Sequence, residues 1–261
     1  MRLGTFNLMH GRSMTDATVD PVRFRSAVAS LDCDVLALQE VDVDQPRSGG
    51  VDLCALAAEA LGVEPGGRRF AATVFGTPGE SWRPAAGPRR DGEPAYGVAL
   101  VSRLPVQGWR VVELGRAPVR APVAVPGPDG RPRLILLDDE PRVAIIAELT
   151  TPAGPLTVAA THLSFVPGWN ARQLRRLVHV LGRHGSRGTP AVILGDLNLP
   201  GPLPRALTGW RRLAAAPTYP AHAPRIQFDH VLAHGPVPPV VAAQVRHTPV
   251  SDHRALLVDL A

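Results

Sequence analysis

The sequence predicts an α/β protein in which two mixed β-sheets pack face to face and helices cover their outer surfaces. Apolar runs of strand length recur along the whole chain, and amphipathic segments of helix length fall between some of them. Successive strands are joined either by short turns or by these helices, which is typical of sheets that contain both antiparallel and parallel pairs. A layered sandwich is the expected architecture.

About ten strands are predicted, because each of these segments is apolar or alternating and is bounded by turn residues. They cover residues 2–8, 34–41, 96–106, 109–114, 142–149, 154–163, 191–197, 226–233, 240–247 and 254–260. Three segments rich in Pro, Gly and Arg are predicted as loops, namely 76–95, 115–133 and the stretch from 198 to 224.

Three helices are predicted. The first covers 20–31, where Pro21 follows an aspartate that is suited to capping, and the second covers 52–62 and stops at Gly62. The third covers 168–182, and its apolar face consists of Leu174, Leu177, Val178 and Leu181. No linker-like change in composition and no internal repeat divides the chain, so we expect residues 1–261 to form a single domain.

The composition limits the classes of function. All 28 cationic residues are arginine, which excludes Schiff-base chemistry and a P-loop lysine. Exclusive use of arginine fits either a genome-wide base composition or an anionic substrate, because the guanidinium fork matches phosphate. The two cysteines, Cys33 and Cys54, lack metal-ligand spacing and are expected to be small buried hydrophobic residues.

The chain contains no apolar run long enough to span a membrane, and its first residues lack the pattern of a secretory signal. We therefore expect a cytoplasmic protein without a membrane span, and a monomer.

Polar residues stand at the ends of several apolar strands, where a buried strand seldom places them. They are Asn7, Glu40, His162, Asp196, Asn198, Asp229, Asp252 and His253. Side chains that converge at strand ends are a common way to build a site in α/β folds. Glu, Asp and Asn are hard oxygen ligands that suit Mg²⁺ or Mn²⁺, and histidines suit proton transfer or phosphate contact. The set predicts metal-dependent hydrolysis of a phosphate ester.

Each residue also has a simpler interpretation. Asp196 and Asn198 could form only an Asx-turn before Pro200, and Glu40 could pair with an arginine. His162 could be a hydrogen-bonded histidine on an edge strand, and Asp252 and His253 could form only the turn before the last strand. The joint occurrence of all these residues favours a site. No GxSxG motif is present, so a serine triad fits poorly.

The motifs TFN, LALQE, YGVALVSRLP, ATHL, GDLN, FDHV and SDH occur in an order that resembles the endonuclease/exonuclease/phosphatase superfamily. The match runs from residue 5 to residue 253, and GDxN followed by a terminal SDH is its most specific part. The resemblance implies a four-layer α/β sandwich and a Mg²⁺ or Mn²⁺ cofactor.

The resemblance also implies roles for the residues. Glu40, Asn7 and Asp252 would form or adjoin the metal site, and Asn198 would hydrogen-bond the phosphate. His253, oriented by Asp229, and Asp196 are alternative candidates for activating water. His162 would contact the phosphate and protonate the leaving oxygen, while Arg142 and Asn170 are candidates for binding substrate.

The motifs do not distinguish between the substrate classes of the family. The pattern favours a phosphodiesterase of the nuclease type, with nucleic acid as a possible partner. The alternatives are a phosphatase or sphingomyelinase-like hydrolase of a small or lipid phosphate, and a non-catalytic phosphate-binding relative. Abasic-site endonucleases are disfavoured, because they tend to carry a Tyr-Asn pair where this chain has Thr161-His162.

Overall fold

Two mixed β-sheets form the centre of the protein in a computed structural model that describes residues 1–126, 132–184 and 189–261. The strands are Arg2–Asn7 (β1), Val35–Val43 (β2), Arg68–Gly76 (β3), Trp82–Pro84 (β4), Ala95–Ser102 (β5), Val106–Gly115 (β6), Ala121–Pro126 (β7), Pro132–Leu137 (β8), Arg142–Thr151 (β9), Gly154–His162 (β10), Ala191–Asp196 (β11), Arg211–Arg212 (β12), Asp229–His234 (β13), Val240–Arg246 (β14) and Ala255–Leu260 (β15). The α-helices are Pro21–Leu31 (α1), Leu53–Ala60 (α2), Trp169–His184 (α3) and Leu203–Thr208 (α4).

The first sheet has the strand order β14-β15-β1-β2-β5-β3-β4, and the second has the order β12-β13-β11-β10-β9-β6. Each sheet contains one central parallel pair, β1 with β2 and β10 with β11, while the other pairs are antiparallel. Strands β7 and β8 pair only with each other among the described residues. The predicted fold class of two mixed sheets is confirmed.

The main core lies between the two sheets, because alternate residues of their strands point inward. Leu3, Val35 and Leu256 from the first sheet pack there with Ile145 and Leu194 from the second. The opposite faces pack against helices. The helices α1 and α2 cover the first sheet, and α3 covers the second. This arrangement gives the four layers that the family resemblance implied.

Aspartate side chains cap the first two helices and fix where they begin. The Asp20 side chain accepts hydrogen bonds from the backbone N–H groups of Val22 and Arg23, and Asp52 accepts one from Ala55. These carboxylates satisfy donors that have no partner inside the helix. The second helix ends at Ala60, two residues earlier than predicted. Cys33 and Cys54 are buried and free, as predicted.

The predicted loops contain most of the differences. Strand β3 was not predicted, and β4 lies inside the predicted loop 76–95. Strand β7 lies within the predicted loop 115–133, and β8 begins at its end and continues to Leu137, while residues 127–131 lie outside the described part. Helix α4 and strand β12 interrupt the Pro-rich stretch. These segments are rich in Pro and Gly and therefore have the composition of loops. Their short strands and helix form because they pair or pack with distant parts of the chain.

Gly195 allows the two parallel strands of the second sheet to lie close together just before Asp196. It pairs with Thr161, and a Cβ atom at residue 195 would lie 2.1 Å from the carbonyl oxygen of Thr161. No side chain fits at that distance, so the backbone of β11 or β10 would have to move. The glycine of GDLN is therefore a structural requirement for the position of Asp196.

We predict that Gly195→Ala lowers the free energy of unfolding by about 1–3 kcal/mol, the usual range for overpacking a well-packed site. Gly182→Ala is the matched control, because its Cβ would meet nothing within 4 Å and it lies in α3, where alanine is the better helix former. Urea unfolding measures both. Equal stability of the two variants would contradict the assignment.

Candidate active site

The two parallel strand pairs end at the same place in the molecule, and this brings the predicted polar residues together. Asn7 ends β1, Glu40 lies near the end of β2, and His162 and Asp196 end β10 and β11 as register partners. Asp229 starts the antiparallel strand β13 directly opposite Asp196. The sheets face each other, so their strand ends form one site.

A pocket of about 690 Å³ lies at this point, which is within the usual size range of small-molecule sites. Eight of the ten residues predicted for the site line it, namely Asn7, Glu40, Arg142, His162, Asp196, Asn198, Asp252 and His253. The two others, Asp229 and Asn170, are buried behind these residues.

Asn7 connects the two halves of the site. Its Nδ2 atom donates to Oε1 of Glu40 at 3.0 Å and to Oδ2 of Asp196 at 3.0 Å. The hydroxyl of Ser251 donates to the backbone oxygen of Asn7 at 2.6 Å, which fixes the SDH segment to the end of β1. The side chain of Asn7 is 1% exposed, so these bonds form in a low-dielectric environment.

Asp229 orients His253, as predicted. Its Oδ2 lies 2.9 Å from Nδ1 of His253, and Nε2 of the same ring points toward Asp196 at 3.8 Å. Burial alone would lower the pKa of His253, but the charge and hydrogen bond of Asp229, together with Asp196 and Asp252, raise it to about 10. His253 is therefore an imidazolium at neutral pH.

His162 has the opposite character. Burial first, and then the charge of Arg142, lower its pKa to about 3, so the ring is neutral. Its Nε2 atom lies 3.7 Å from Asp196 and 3.2 Å from Nδ2 of Asn198. Nδ2 of Asn198 also donates to the backbone oxygen of Leu163 at 3.0 Å. In this arrangement Nε2 of His162 accepts a hydrogen bond and carries no proton for a leaving group.

The Asx-turn considered for GDLN is present together with the site. The backbone N–H of Asn198 donates to Oδ1 of Asp196 at 2.9 Å, and Asn198 has a φ of 49°. The turn leaves Oδ2 of Asp196 facing both histidines and Asn7. Asp196 and Asn198 therefore form an Asx-turn and also line the pocket.

The model of the Endonuclease/Exonuclease/phosphatase family matches residues 4–253. The chain belongs to this family. Its members are phosphoester hydrolases. No curated protein matches the sequence.

Solved structures of family members have the same fold. A protein of the family from Beutenbergia cavernae is 25% identical, with a TM-score of 0.68, and the match covers 100% of this chain and 71% of that one. The mannosyl-6-phosphatase Bt3783 of Bacteroides thetaiotaomicron is 13% identical over 100% and 99% of the two chains, with a TM-score of 0.61. Truncated Caenorhabditis elegans TDP2 is 15% identical over 98% and 95%, with a TM-score of 0.56.

The donors of this family site fit a divalent cation. Burial raises the pKa of Glu40 to about 7 and also raises that of Asp252, which shows that these carboxylates lack a sufficient cationic partner. A hard divalent ion held by Glu40 and Asp252 would supply the missing charge. Asn7, also predicted as a metal ligand, instead turns its N–H groups toward Glu40 and Asp196, because its Oδ1 accepts from the backbone N–H of Met9 at 3.0 Å. Asp196, Asp229 and His253 also lie within 4.8 Å of one another, but the last two already bind each other.

The two candidates for binding substrate differ. Arg142 lines the pocket, where Asp139 holds its Nη2 atom at 3.2 Å. Asn170 does not line it, because its amide is used to hold the chain. Its Nδ2 donates to the backbone oxygen of Asn198 at 2.8 Å, and its Oδ1 accepts from Gly168 and Ala171. Asn170 positions the GDLN turn instead.

Several pocket residues were missed by the sequence interpretation. Tyr219 lies beside His253, with ring centroids 4.8 Å apart, and comes from the Pro-rich stretch that was predicted as loop. His10, Tyr96 and Glu140 also line the pocket. Tyr96 begins the motif YGVALVSRLP but has the pattern of a buried strand residue, and the other three belong to none of the motifs. Only their position relative to the strand ends could identify them as pocket residues.

We predict that His162 makes the metal-free protein lose stability in acid. Below its ordinary pKa of 6.5 the unfolded chain binds a proton, which the folded protein does not bind until about pH 3. The free energy of unfolding therefore falls through this window, by up to about 1.4 kcal/mol per pH unit for one group.

His162→Gln should remove this contribution, so its stability should approach or exceed that of the wild type as the pH falls from 7 to 4. Urea unfolding in EDTA at each pH measures it, with His179→Gln on the exposed face of α3 as the control. Parallel curves for wild type and His162→Gln would refute the neutral buried state.

Proposed function

We propose that this protein is a Mg²⁺- or Mn²⁺-dependent hydrolase of phosphate esters. The observation that carries the proposal is the position of Asp196. Its Oδ2 atom lies at the floor of the pocket, within 4 Å of Nε2 of His162 and Nε2 of His253, and is hydrogen-bonded to Asn7 next to Glu40. This arrangement supports nucleophile activation, phosphate contact and metal binding around one point.

The two candidates for activating water differ in protonation. The neighbouring carboxylates raise the pKa of His253 to about 10, which favours a ring that donates from Nε2 to a phosphoryl oxygen over one that accepts a proton. Asp196 is therefore assigned to orient the attacking water and to accept its proton. The oxygen–phosphorus bond forms while the ester bond on the opposite side breaks, and the departing oxygen takes a proton from solvent.

The other residues support this geometry. A divalent ion held by Glu40 and Asp252 would neutralise charge on the phosphoryl group, and Asn7 holds Glu40 beside Asp196. Asp229 keeps the ring of His253 in place and stabilises its cation. His162 and Arg142 also line the pocket, and the unpaired Nε of the guanidinium would donate to a phosphate oxygen.

The surroundings of the pocket favour a small substrate over the interior of a nucleic acid duplex. Pro78, Glu80 and Trp82 near β4 and Leu136 and Leu137 of β8 line it together with the buried catalytic residues. A slender ester can pass between these segments to the floor, whereas a duplex would need an open basic surface. The nuclease-type activity becomes the second candidate, and relaxation of supercoiled plasmid tests it.

We predict that Asp196→Ala and His253→Ala each lower kcat on phenyl phosphate by at least about 10²-fold, the usual contribution of a positioned proton-transfer group. Asp16→Asn is the control, because this exposed carboxylate pairs with Arg23 away from the pocket. Far-UV circular dichroism checks the fold. Turnover that survives both alanine variants would refute the assignment.

We also predict that EDTA abolishes turnover and that Mg²⁺ or Mn²⁺ restores it. Glu40→Gln removes a charged ligand, so it should raise the metal concentration for half-maximal activity by about tenfold or more. Even the loss of a group that only hydrogen-bonds a metal ligand usually weakens metal affinity by about 10- to 100-fold. A metal titration of phosphate release measures this. Full activity in EDTA, or an unchanged titration for Glu40→Gln, would contradict metal binding at Glu40.

A further inference from the structure

Tyr96 is a largely buried residue that lines the catalytic pocket. The residue lies in β5, is 6% exposed and lines the pocket. Its hydroxyl group has no hydrogen-bond partner in the part of the chain that the structure describes. The Arg47 guanidinium lies 5.5 Å from the ring centroid, so the ring is held from one side. Burial raises the pKa of Tyr96 well above 10, which keeps the hydroxyl a donor.

His10 lines the same pocket from a strained turn. Met9, His10 and Gly11 have φ values of 44°, 49° and 78°, a left-handed run that costs energy at the two residues with side chains. The imidazole makes no hydrogen bond to the described residues. Burial, and then the charges of Arg47 and Arg12, lower its pKa to about 3. A neutral ring offers one donor and one acceptor.

Glu140 provides an acceptor in this pocket. Its carboxylate lies 3.9 Å from Nη1 of Arg142 and has no shorter polar contact with the described residues. Tyr96 therefore offers a hydrogen-bond donor, Glu140 offers acceptors, and the His10 ring offers one of each. None of these groups is hydrogen-bonded within the described chain. All three are accessible from the pocket, so a bound ligand can pair with them.

The cations in this part of the pocket already have partners. Arg47 forms two bonds to Asp42 at 2.9 and 2.7 Å, and Arg120 forms two to Asp138. Arg142 is held by Asp139 through Nη2, whereas its buried Nε has no hydrogen-bond partner in the described chain and is free for the phosphate that is hydrolysed. Each described cation of these walls thus has a carboxylate partner, which leaves little positive charge to neutralise a second phosphate group.

We propose that Tyr96, His10 and Glu140 form a subsite for the alcohol part of the substrate, and that this part is an uncharged, hydroxyl-rich group such as a sugar or a short polyol. Each hydroxyl of such a group both donates and accepts, which matches the three side chains. Trp82, on the same pocket, offers an apolar surface for the carbon skeleton. The inference rests on the proposed hydrolysis of a phosphate ester.

The test compares glucose 6-phosphate, mannose 6-phosphate and glycerol 1-phosphate with phenyl phosphate and glucose 1,6-bisphosphate. We expect at least one of the three hydroxylated monophosphates to have a higher kcat/KM than either comparison ester. Tyr96→Phe should lower the ratio of kcat/KM for that substrate to kcat/KM for phenyl phosphate by about tenfold, mainly through KM, as the loss of one hydrogen bond predicts.

Two further variants make the comparison specific. His10→Asn keeps a residue type that tolerates the left-handed backbone while it removes the ring, and it should lower the same ratio. His179→Gln, exposed on α3, should leave the ratio unchanged. Thermal unfolding shows whether each variant folds. An unchanged ratio in both Tyr96→Phe and His10→Asn, or a preference for the bisphosphate, would overturn the subsite.

A binding measurement separates failure of the subsite from failure of the proposed function. Absence of metal-dependent turnover on every ester, including phenyl phosphate, would overturn the hydrolase proposal. Calorimetric titration of the three hydroxylated monophosphates with Mg²⁺ into the Asp196→Asn protein, with and without Tyr96→Phe, then tests the subsite alone. Binding weakened about tenfold by Tyr96→Phe supports the subsite, whereas equal binding or no binding of all three overturns it.

Discussion

The hydrogen bond from Nδ2 of Asn7 to Oδ2 of Asp196 is the interaction on which the site depends. Asn7 ends a strand of one sheet and Asp196 ends a strand of the other, so the bond joins the two sheets where they carry chemistry. The second hydrogen of the same amide is bound by Glu40. One buried side chain therefore sets the position of the proposed nucleophile-activating carboxylate relative to the proposed metal ligand.

The two histidines next to Asp196 show how the fold divides tasks between identical side chains. Both rings are buried, which by itself favours the neutral form. His253 has the fully buried Asp229 at 2.9 Å and becomes a cation, whereas His162 has the charge of Arg142 nearby and stays neutral. The site thus holds one donor ring and one acceptor ring next to Asp196, although both side chains are imidazoles.

The sequence was sufficient to predict the strand-end residues, because strand period and register are local properties. Once β10 and β11 are parallel neighbours, His162 and Asp196 must lie side by side. The other pocket residues depend on chain paths that no local pattern encodes. Tyr96 looks like any buried strand residue, and Tyr219 stands in a Pro-rich stretch. Strands β4, β7 and β8 were missed for the same reason, since their pairing overrides a loop-like composition.

Strained backbone conformations are concentrated around the pocket. Eight residues other than glycine have positive φ in the described chain, and five of them adjoin the pocket, namely Met9, His10, Glu40, Asn198 and Ser251. Glu40 lies where the pairing of β2 with β5 shifts register, so a bulge turns its carboxylate toward the pocket. Such conformations persist only where surrounding contacts over-determine them. Asn198 and Ser251 have such contacts, through Asp196 and Asn7. The turn at His10 has them as well, because the backbone N–H of Met9 donates to Oδ1 of Asn7 at 3.0 Å and that of Gly11 to the oxygen of Leu8 at 2.9 Å. The same asparagine that joins the two sheets therefore also holds this strained turn at the edge of the pocket.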